Sequence, residues 1–389
     1  KTFYYKPENR ELDLVLIDFA DPKNNVYEVT EEFYCHNGSY GNREDVVFLI
    51  NGIPVLVIEC KNATKDEAIA LGIDQLRRYH AETPELMLPQ QIFTATEAIG
   101  FAYGVTWNTV RRNIFNWKDE RIGQLESKVK SFCTIGNVLA FLKDFIIFAE
   151  KDEELSKFIL RQHQKEAVER VVRRAHEAGR RGLVWHTQGS GKTFTMIKAA
   201  ELLFKAPESN KPTLLLMIDR NELEDQMLRN LVALGLANVE EATSIARLND
   251  LIKNDYRGII VTTIQKFRDM PANLNARDNI YVLIDEAHRT TQGDLGNYLM
   301  AGLPNATFIG FTGTPIDQTA YGKGTFKTFG ADDAPQGYLH KYSISDSIAD
   351  GTTLPLFYAL APNELLVPKE VLEQEFFKLA EAYGVADID

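Results

Sequence analysis

The stretch His186-Thr187-Gln188-Gly189-Ser190-Gly191-Lys192-Thr193 ends an apolar run and opens a helical one, Thr193–Phe204. A strand, a glycine-bearing turn and a helix, in that order, are what a phosphate-binding loop requires. Gly189 and Gly191, with Ser190 between them, let backbone amides turn inward around phosphate oxygens. The helix start adds partial positive charge. Lys192 would bridge the β- and γ-phosphates of ATP, and the Thr193 hydroxyl would bind Mg²⁺. One position departs from the G-x-x-x-x-G-K-T pattern: the first glycine is His186 here.

Working outward, short apolar runs alternate with helical segments from Leu155 onward: Gly182–Thr187, Thr213–Asp219, Gly258–Thr263, Tyr281–Asp285 and Ala306–Thr312. That alternation predicts βαβ units and a parallel sheet covered by helices. Val282-Leu283-Ile284-Asp285-Glu286-Ala287-His288 is an apolar strand ending in acids. A carboxylate there faces the crevice where ligands bind. Asp285 would hold Mg²⁺ through water, and Glu286 would orient or deprotonate the attacking water. Phe311-Thr312-Gly313-Thr314-Pro315 also ends a strand, where Thr312 would couple nucleotide state to DNA, or simply form a tight loop. Asp219-Arg220 and Thr262-Thr263-Ile264-Gln265-Lys266 follow further strands, and their hydroxyls and basic groups suit DNA phosphates. Each of these two, alone, reads first as an ordinary helix start.

In order and spacing these segments resemble the first motor domain of superfamily 2 helicases, over roughly Leu155 to Ile316. The resemblance makes Gly189–Thr193 motif I and Asp285–His288 motif II. It also implies that Arg161 and Gln164 form the adenine-reading Q motif, although a surface helix glutamine is an even alternative for Gln164.

The front of the chain carries Asp45-Val46-Val47-Phe48-Leu49-Ile50-Asn51-Gly52-Ile53-Pro54-Val55-Leu56-Val57-Ile58-Glu59-Cys60-Lys61. Two apolar strands flanking Asn51-Gly52 predict a hairpin. Strand geometry points Glu59 and Lys61 to one face. Asp45 and Glu59 would bind Mg²⁺, the Cys60 carbonyl would add a ligand, and Lys61 would orient the nucleophile or offset developing charge. A charged hairpin edge is the plainer reading. Register decides which acid pairs with Glu59. A two-residue turn sets Glu44 opposite it. A three-residue loop sets Asp45 there. The longer loop or a bulge is expected, with Glu44 as the substitute ligand otherwise.

This segment resembles the PD-(D/E)xK nuclease fold. The resemblance extends to Gln75 and Tyr79 on the following helix, a Q-x-x-x-Y element that would contact DNA phosphate, with core packing of Tyr79 the alternative. Glu31 or Glu32 is a candidate for a further acid. A nuclease followed by a RecA-like motor is the order found in R subunits of type I restriction-modification enzymes, and the phrases at Asn51–Pro54, His186–Thr193 and Phe311–Pro315 are similar to that family. It implies work on duplex DNA together with methyltransferase (M) and specificity (S) subunits. Type III restriction subunits, repair nucleases and a non-cutting DNA-remodelling scaffold are the competing readings.

The resulting expectation is an α/β chain: a PD-(D/E)xK nuclease domain over 1–127, a connecting helix over 128–154, a RecA-like motor domain over 155–330, and a linker toward a second motor domain over 331–389. On this reading the chain is expected to have been processed or cut from a longer protein, since it lacks an initiator methionine. Without the second lobe and its arginine finger it would bind ATP but hydrolyse it poorly.

Composition fits a cytoplasmic protein of two to three domains among 389 residues, 44% of them hydrophobic. No apolar run approaches the ~20 residues of a membrane span. Cys35, Cys60 and Cys133 lack metal-site spacing and predict buried free thiols. The net charge of -12 argues weakly against nucleic acid. The basic set Arg161, Lys165, Arg170, Arg173, Arg174, Arg180 and Arg181 reads first as a solvated helix face and second as a DNA contact.

Overall fold

The computed structural model describes residues 2–62, 67–97, 99–119, 125–151, 154–177, 181–219, 221–236, 238–268, 270–290, 295–319, 322–355 and 369–382. Residues 1–352 fold as one compact unit and 353–389 as a second. Within the second, the described element is a helix, Lys369–Ala382.

The first sheet is built from β1 (Tyr27–His36), β2 (Gly41–Ile50), β3 (Ile53–Cys60), β4 (Ile92–Thr96), β5 (Phe101–Val105) and β6 (Phe115–Asn116), in that spatial order. Helix α1 (Ala68–Glu82) makes the crossover from β3 to β4, which pair in parallel, while the other pairs are antiparallel. Asn51 and Gly52 both take positive φ, 54° and 75°, as a two-residue hairpin turn demands. Asn51 also anchors that turn, its Oδ1 accepting from the Val26 amide and its Nδ2 donating to the Leu16 carbonyl.

Ile50 pairs with Ile53 and Leu49 with Pro54, but Phe48 pairs with Leu56. The turn therefore has two residues, and Val55 is a bulge just beyond it. The inserted residue restores the register that a longer loop would have given. Val46 pairs with Ile58, so the next position up sets Asp45 beside Glu59. The α1 face of this sheet buries Val47, Val57, Ile73, Leu76, Tyr79 and Phe93.

The opposite face carries Ile50, Leu56, Ile92, Phe101 and Tyr103, and these belong to one hydrophobic core that continues into the second sheet. Residues 128–154 are not a single helix. They hold the end of α2 (Leu125–Phe132), then α3 (Ile135–Ala140) and one wide helical turn, Phe141–Phe145. A hairpin follows, β7 (Ile146–Lys151) with β8 (Glu154–Ile159). The run Val138–Phe148 is short and continuously apolar, and periodicity alone does not separate helix from strand in such a run. Phe132 and Phe141 pack against Tyr103 and Trp117 in tilted and edge-on pairs at ring separations of 5.1–6.1 Å, knitting this segment to the first sheet.

Helix α4 (Gln162–Ala175) leads into the second sheet. Its strands are β9 (Arg181–His186), β10 (Thr213–Ile218), β11 (Val239–Glu241), β12 (Ile259–Thr263), β13 (Ile280–Ile284), β14 (Thr307–Thr312) and β15 (His340–Tyr342). All pair in parallel, in the order β11-β12-β10-β13-β14-β9-β15. This is the expected RecA-like sheet, and five of its strands lie where the apolar runs placed them. The sheet runs past residue 330, since β15 forms its edge.

The basic helix face is not solvated along its length. Lys165 and Arg174 are buried, Arg174 pairs with Asp333 at 2.6 Å, and Arg170 donates to the Leu339 carbonyl at 2.7 Å. Arg180 lies outside the described residues. The three cysteines are free thiols, but none is fully buried, and Cys60 is exposed. Among the described residues, no helix is long and apolar enough to cross a membrane.

Candidate functional site

Two sites emerge, one at the rim of each sheet. In the first, β2 and β3 bring Asp45, Glu59 and Lys61 together. Lys61 Nζ lies 2.9 Å from Glu59 Oε2 and 3.6 Å from Asp45 Oδ2. The Cys60 amide donates to Asp45 Oδ2 at 2.7 Å, so the backbone of β3 fixes that carboxylate. Glu59 is fully buried, and its Oε1 has no hydrogen-bond partner among the described residues. Burial raises the Glu59 carboxyl to about 7; Lys61 opposes this rise and Asp45 adds to it. A buried carboxylate oxygen left without a donor calls for a partner, and a cation is one that would satisfy it.

Glu44, the substitute ligand, is fully buried next door and takes a different partner. Its Oε2 accepts from Gln90 Nε2 at 2.5 Å, and burial raises it to about 8. Glu32 is spent on Arg43, 3.3 Å away at the surface. Among the described residues no three His, Cys, Asp or Glu side chains gather as a metal-holding set. The donor set still fits Mg²⁺, which is commonly held by one or two carboxylates with water and substrate phosphate completing the shell.

Helix α1 presses close to this rim. A side chain at Gly72 would meet Lys61 Cγ at 3.5 Å and Glu59 Cβ at 3.8 Å. Gln75 and Tyr79 sit one turn apart on it, but the structure buries Tyr79 to 1% exposure. Its hydroxyl donates to the Arg43 carbonyl at 2.6 Å and accepts from Gln75 Nε2 at 2.5 Å. The pair therefore braces β2 against α1, and the DNA-phosphate contact expected of Tyr79 is replaced by core packing.

The second site lies at the C-terminal ends of β9, β13 and β14. Gly189 and Gly191 take φ of 76° and 83°, and Gly191 caps helix α5 (Lys192–Lys205). Ser190 Oγ is buried without a partner among the described residues. Lys192 Nζ stands 3.9 Å from Glu286 Oε1. Asp285 Oδ1 accepts from the Glu286 amide at 3.0 Å, and burial first, then Glu286, raises the Asp285 carboxyl. A cavity of about 800 Å³ opens above these groups, lined by Gln188, Lys192, Asp285, Glu286, His288 and Gly313 among others. Its size and its cationic and acidic walls suit a Mg²⁺–triphosphate. Gly313 packs on the loop itself: a Cβ there would meet the His186 carbonyl at 3.1 Å and the Gln188 amide at 3.2 Å.

Several expected contacts take other roles. Gln164 is buried, with Oε1 accepting from the Arg161 amide at 2.9 Å and Nε2 donating to the Gly191 carbonyl at 3.2 Å. Its amide braces the loop, so base reading is not where its hydrogen bonds go. The Arg161 guanidinium lies over the Phe115 ring at 5.0 Å. Thr312 is fully buried, and its hydroxyl meets His288 Nδ1 at 2.9 Å and the Thr314 amide at 3.1 Å. It links two ligand-facing strand ends rather than touching DNA. Thr262 is buried within β12 and its hydroxyl is turned away from solvent. Thr263 is 2% exposed but borders a groove with Ser244, Gln265 and Lys266. Arg220 lies outside the described residues. His163 and His340, which sequence reasoning passed over, flank the loop; no spacing pattern marked them.

A parallel-sheet phosphate-loop domain, joined in one compact unit to a second sheet with an acid–acid–lysine rim, defines a phosphate-loop ATPase class of protein. Two family models match the chain, one at each end. Residues 163–387 match the SWI2/SNF2 ATPase family, and residues 2–109 match the type I restriction enzyme R protein N terminus. The HindI type I restriction enzyme endonuclease subunit of Haemophilus influenzae is 30% identical over 91% of this chain and 37% of its own length. The SsaAORF53P type I restriction enzyme endonuclease subunit of Staphylococcus saprophyticus is 30% identical over 87% of this chain and 37% of its own. The chain belongs to the SWI2/SNF2 ATPase family, and its front part to the family of type I restriction enzyme R protein N termini. It spans well under half the length of the curated relatives it matches.

Proposed function

We propose that this chain carries the Mg²⁺-dependent DNA-cutting site and the first half of the ATP-driven translocating motor of a cytoplasmic type I restriction-modification complex, acting on duplex DNA with M and S subunits. The observation that carries this reading is the rim cluster: an ammonium within 3.6 Å of two carboxylates, one of them with a buried, unpartnered oxygen.

Asp45 and Glu59 are the residues to hold the cation, which would acidify a bound water and offset charge on the phosphate under attack. Lys61, fixed by Glu59, is placed to orient the nucleophile or to balance charge developing on the phosphate. In the motor half, the Gly189–Thr193 backbone and Lys192 would cradle the triphosphate, with Thr193 and Asp285 facing its Mg²⁺. Glu286, beside Lys192, would position the attacking water. The link from Thr312 to His288 connects the acidic strand end to its neighbour, a route by which hydrolysis could reach DNA.

The test is plasmid cleavage by the full-length subunit with its M and S partners, Mg²⁺ and ATP. Glu59→Ala should abolish cutting and keep DNA-stimulated ATPase activity, whereas Lys192→Ala should lose both. Undiminished cutting by Glu59→Ala would overturn the assignment.

A further inference from the structure

His186 holds the place that the loop pattern gives to glycine, and the chemistry above makes no use of it. It is fully buried at the end of β9. Its Nε2 lies 2.8 Å from Nδ1 of His340 on β15. His340 Nε2 lies 3.2 Å from Glu166 Oε2 on α4. The other oxygen of Glu166 accepts from Gln162 Nε2 at 3.0 Å. Gln162 is locked in turn to the end of the nuclease-like part. Its Oε1 accepts from the Lys118 amide at 2.8 Å, and its Nε2 donates to the Lys118 carbonyl at 2.9 Å. An unbroken run of hydrogen bonds thus joins the Lys118 backbone to the base of the phosphate loop.

Counting donors places the protons. Glu166, as a carboxylate, only accepts, and both its oxygens are taken. His340 therefore carries a proton on Nε2 and offers Nδ1 as an acceptor, so His186 carries its proton on Nε2. That leaves His186 Nδ1 as a bare lone pair, and Nδ1 is the His186 atom without a partner among the described residues. The reversed arrangement would bury an N–H with nothing to receive it, the costlier outcome. Burial first, then the neighbouring His163, His340 and Lys192, hold the His186 pKa well below the ordinary histidine value, in keeping with an uncharged ring. Burial would raise the Glu166 carboxyl, but hydrogen bonds from His340 and Gln162 bring it below its usual value.

We propose that Glu166, His340 and His186 are positioning residues for the nucleotide, a polar tether by which the nuclease-like part of the chain holds the phosphate loop in shape. This rests on that loop being the ATP site. None of the three lines the cavity above the loop. The tether acts through Thr187, which does line it and whose amide donates to the Tyr342 carbonyl at 2.9 Å.

Glu166→Gln is the informative variant, because it keeps the shape but has one acceptor oxygen where the run needs two. The affinity of the protein for mant-ATP should fall about tenfold, the loss expected when a buried hydrogen bond of this kind is broken. Gln162→Met, which cuts the run at its nuclease end, should weaken binding in the same direction. In the wild-type protein, ¹⁵N-histidine NMR should show His186 and His340 as Nε2–H tautomers. Unchanged affinity in both variants, or a His186 Nδ1–H signal, would overturn the tether. Lys192→Ala run in parallel separates the two claims. If it also binds normally, the ATP site is misplaced; if it alone loses binding, only the tether fails.

Discussion

Lys192 Nζ stands 3.9 Å from Glu286 Oε1, so the cation of the phosphate loop and the acid that ends β13 share one crevice. A triphosphate entering there competes with Glu286 for the ammonium. Lys192→Ala removes a charge-assisted contact of the kind that contributes about 1.5–3 kcal/mol. Mant-ATP titration should therefore show affinity reduced roughly ten- to hundredfold. Binding at the wild-type level would remove this loop from the nucleotide site.

Cation binding at the rim should depend on pH through Glu59. Burial raises this carboxyl to about 7, so below that pH it is protonated and a poor ligand. Mn²⁺ affinity measured by calorimetry should fall as pH drops from 8 to 6, and Glu59→Gln should bind weakly at both. A wild-type affinity that does not change over this window would contradict the buried-ligand reading.

Glu44 gives the opposite kind of test, one of stability. Its folded value of about 8 lies above the ordinary 4.5, so the folded state holds the extra proton. The stability this group contributes is present at acid pH and is lost as pH rises through about 8. Glu44→Gln removes that loss. It should melt above wild type at pH 9 and close to it at pH 5, while keeping Mn²⁺ affinity, since Asp45 faces Glu59. Loss of the cation in this variant would restore Glu44 as the ligand.

Tyr79 should prove structural. Tyr79→Phe deletes the hydroxyl that donates to the Arg43 carbonyl and should cost about 1 kcal/mol in denaturant unfolding. Tyr79→Ala, which empties a fully packed ring site, should cost about 3–5 kcal/mol. DNA affinity of the Phe variant should match wild type; a clear loss there would reinstate the phosphate contact.

Much of this architecture is legible in the residues because its signals are local. The phosphate loop, the acidic strand end at Asp285 and the Asn51-Gly52 turn are each written within eight residues. The bulge needed to set Asp45 beside Glu59 follows from counting residues back from the turn, although its position at Val55 does not. What the residues hide is what depends on tertiary packing. Whether Tyr79, Thr262 and Thr312 face solvent is decided by neighbours from distant segments, and hydroxyls that suit phosphate equally suit a buried carbonyl or imidazole. The hairpin within 128–154 is hidden for a different reason: a continuous apolar run has no period to read. The histidines beside the loop share no spacing, so only the assembled sheet brings His186 and His340 together.

The single interior running from Tyr103 and Trp117 through Phe141 to Val184 and Leu214 has a thermodynamic consequence. Neither half owns a boundary along which it could come apart while its neighbour stays intact. Heating should therefore dismantle residues 1–352 in one cooperative calorimetric event, and an injury to the first sheet should be felt as lost resilience in the second.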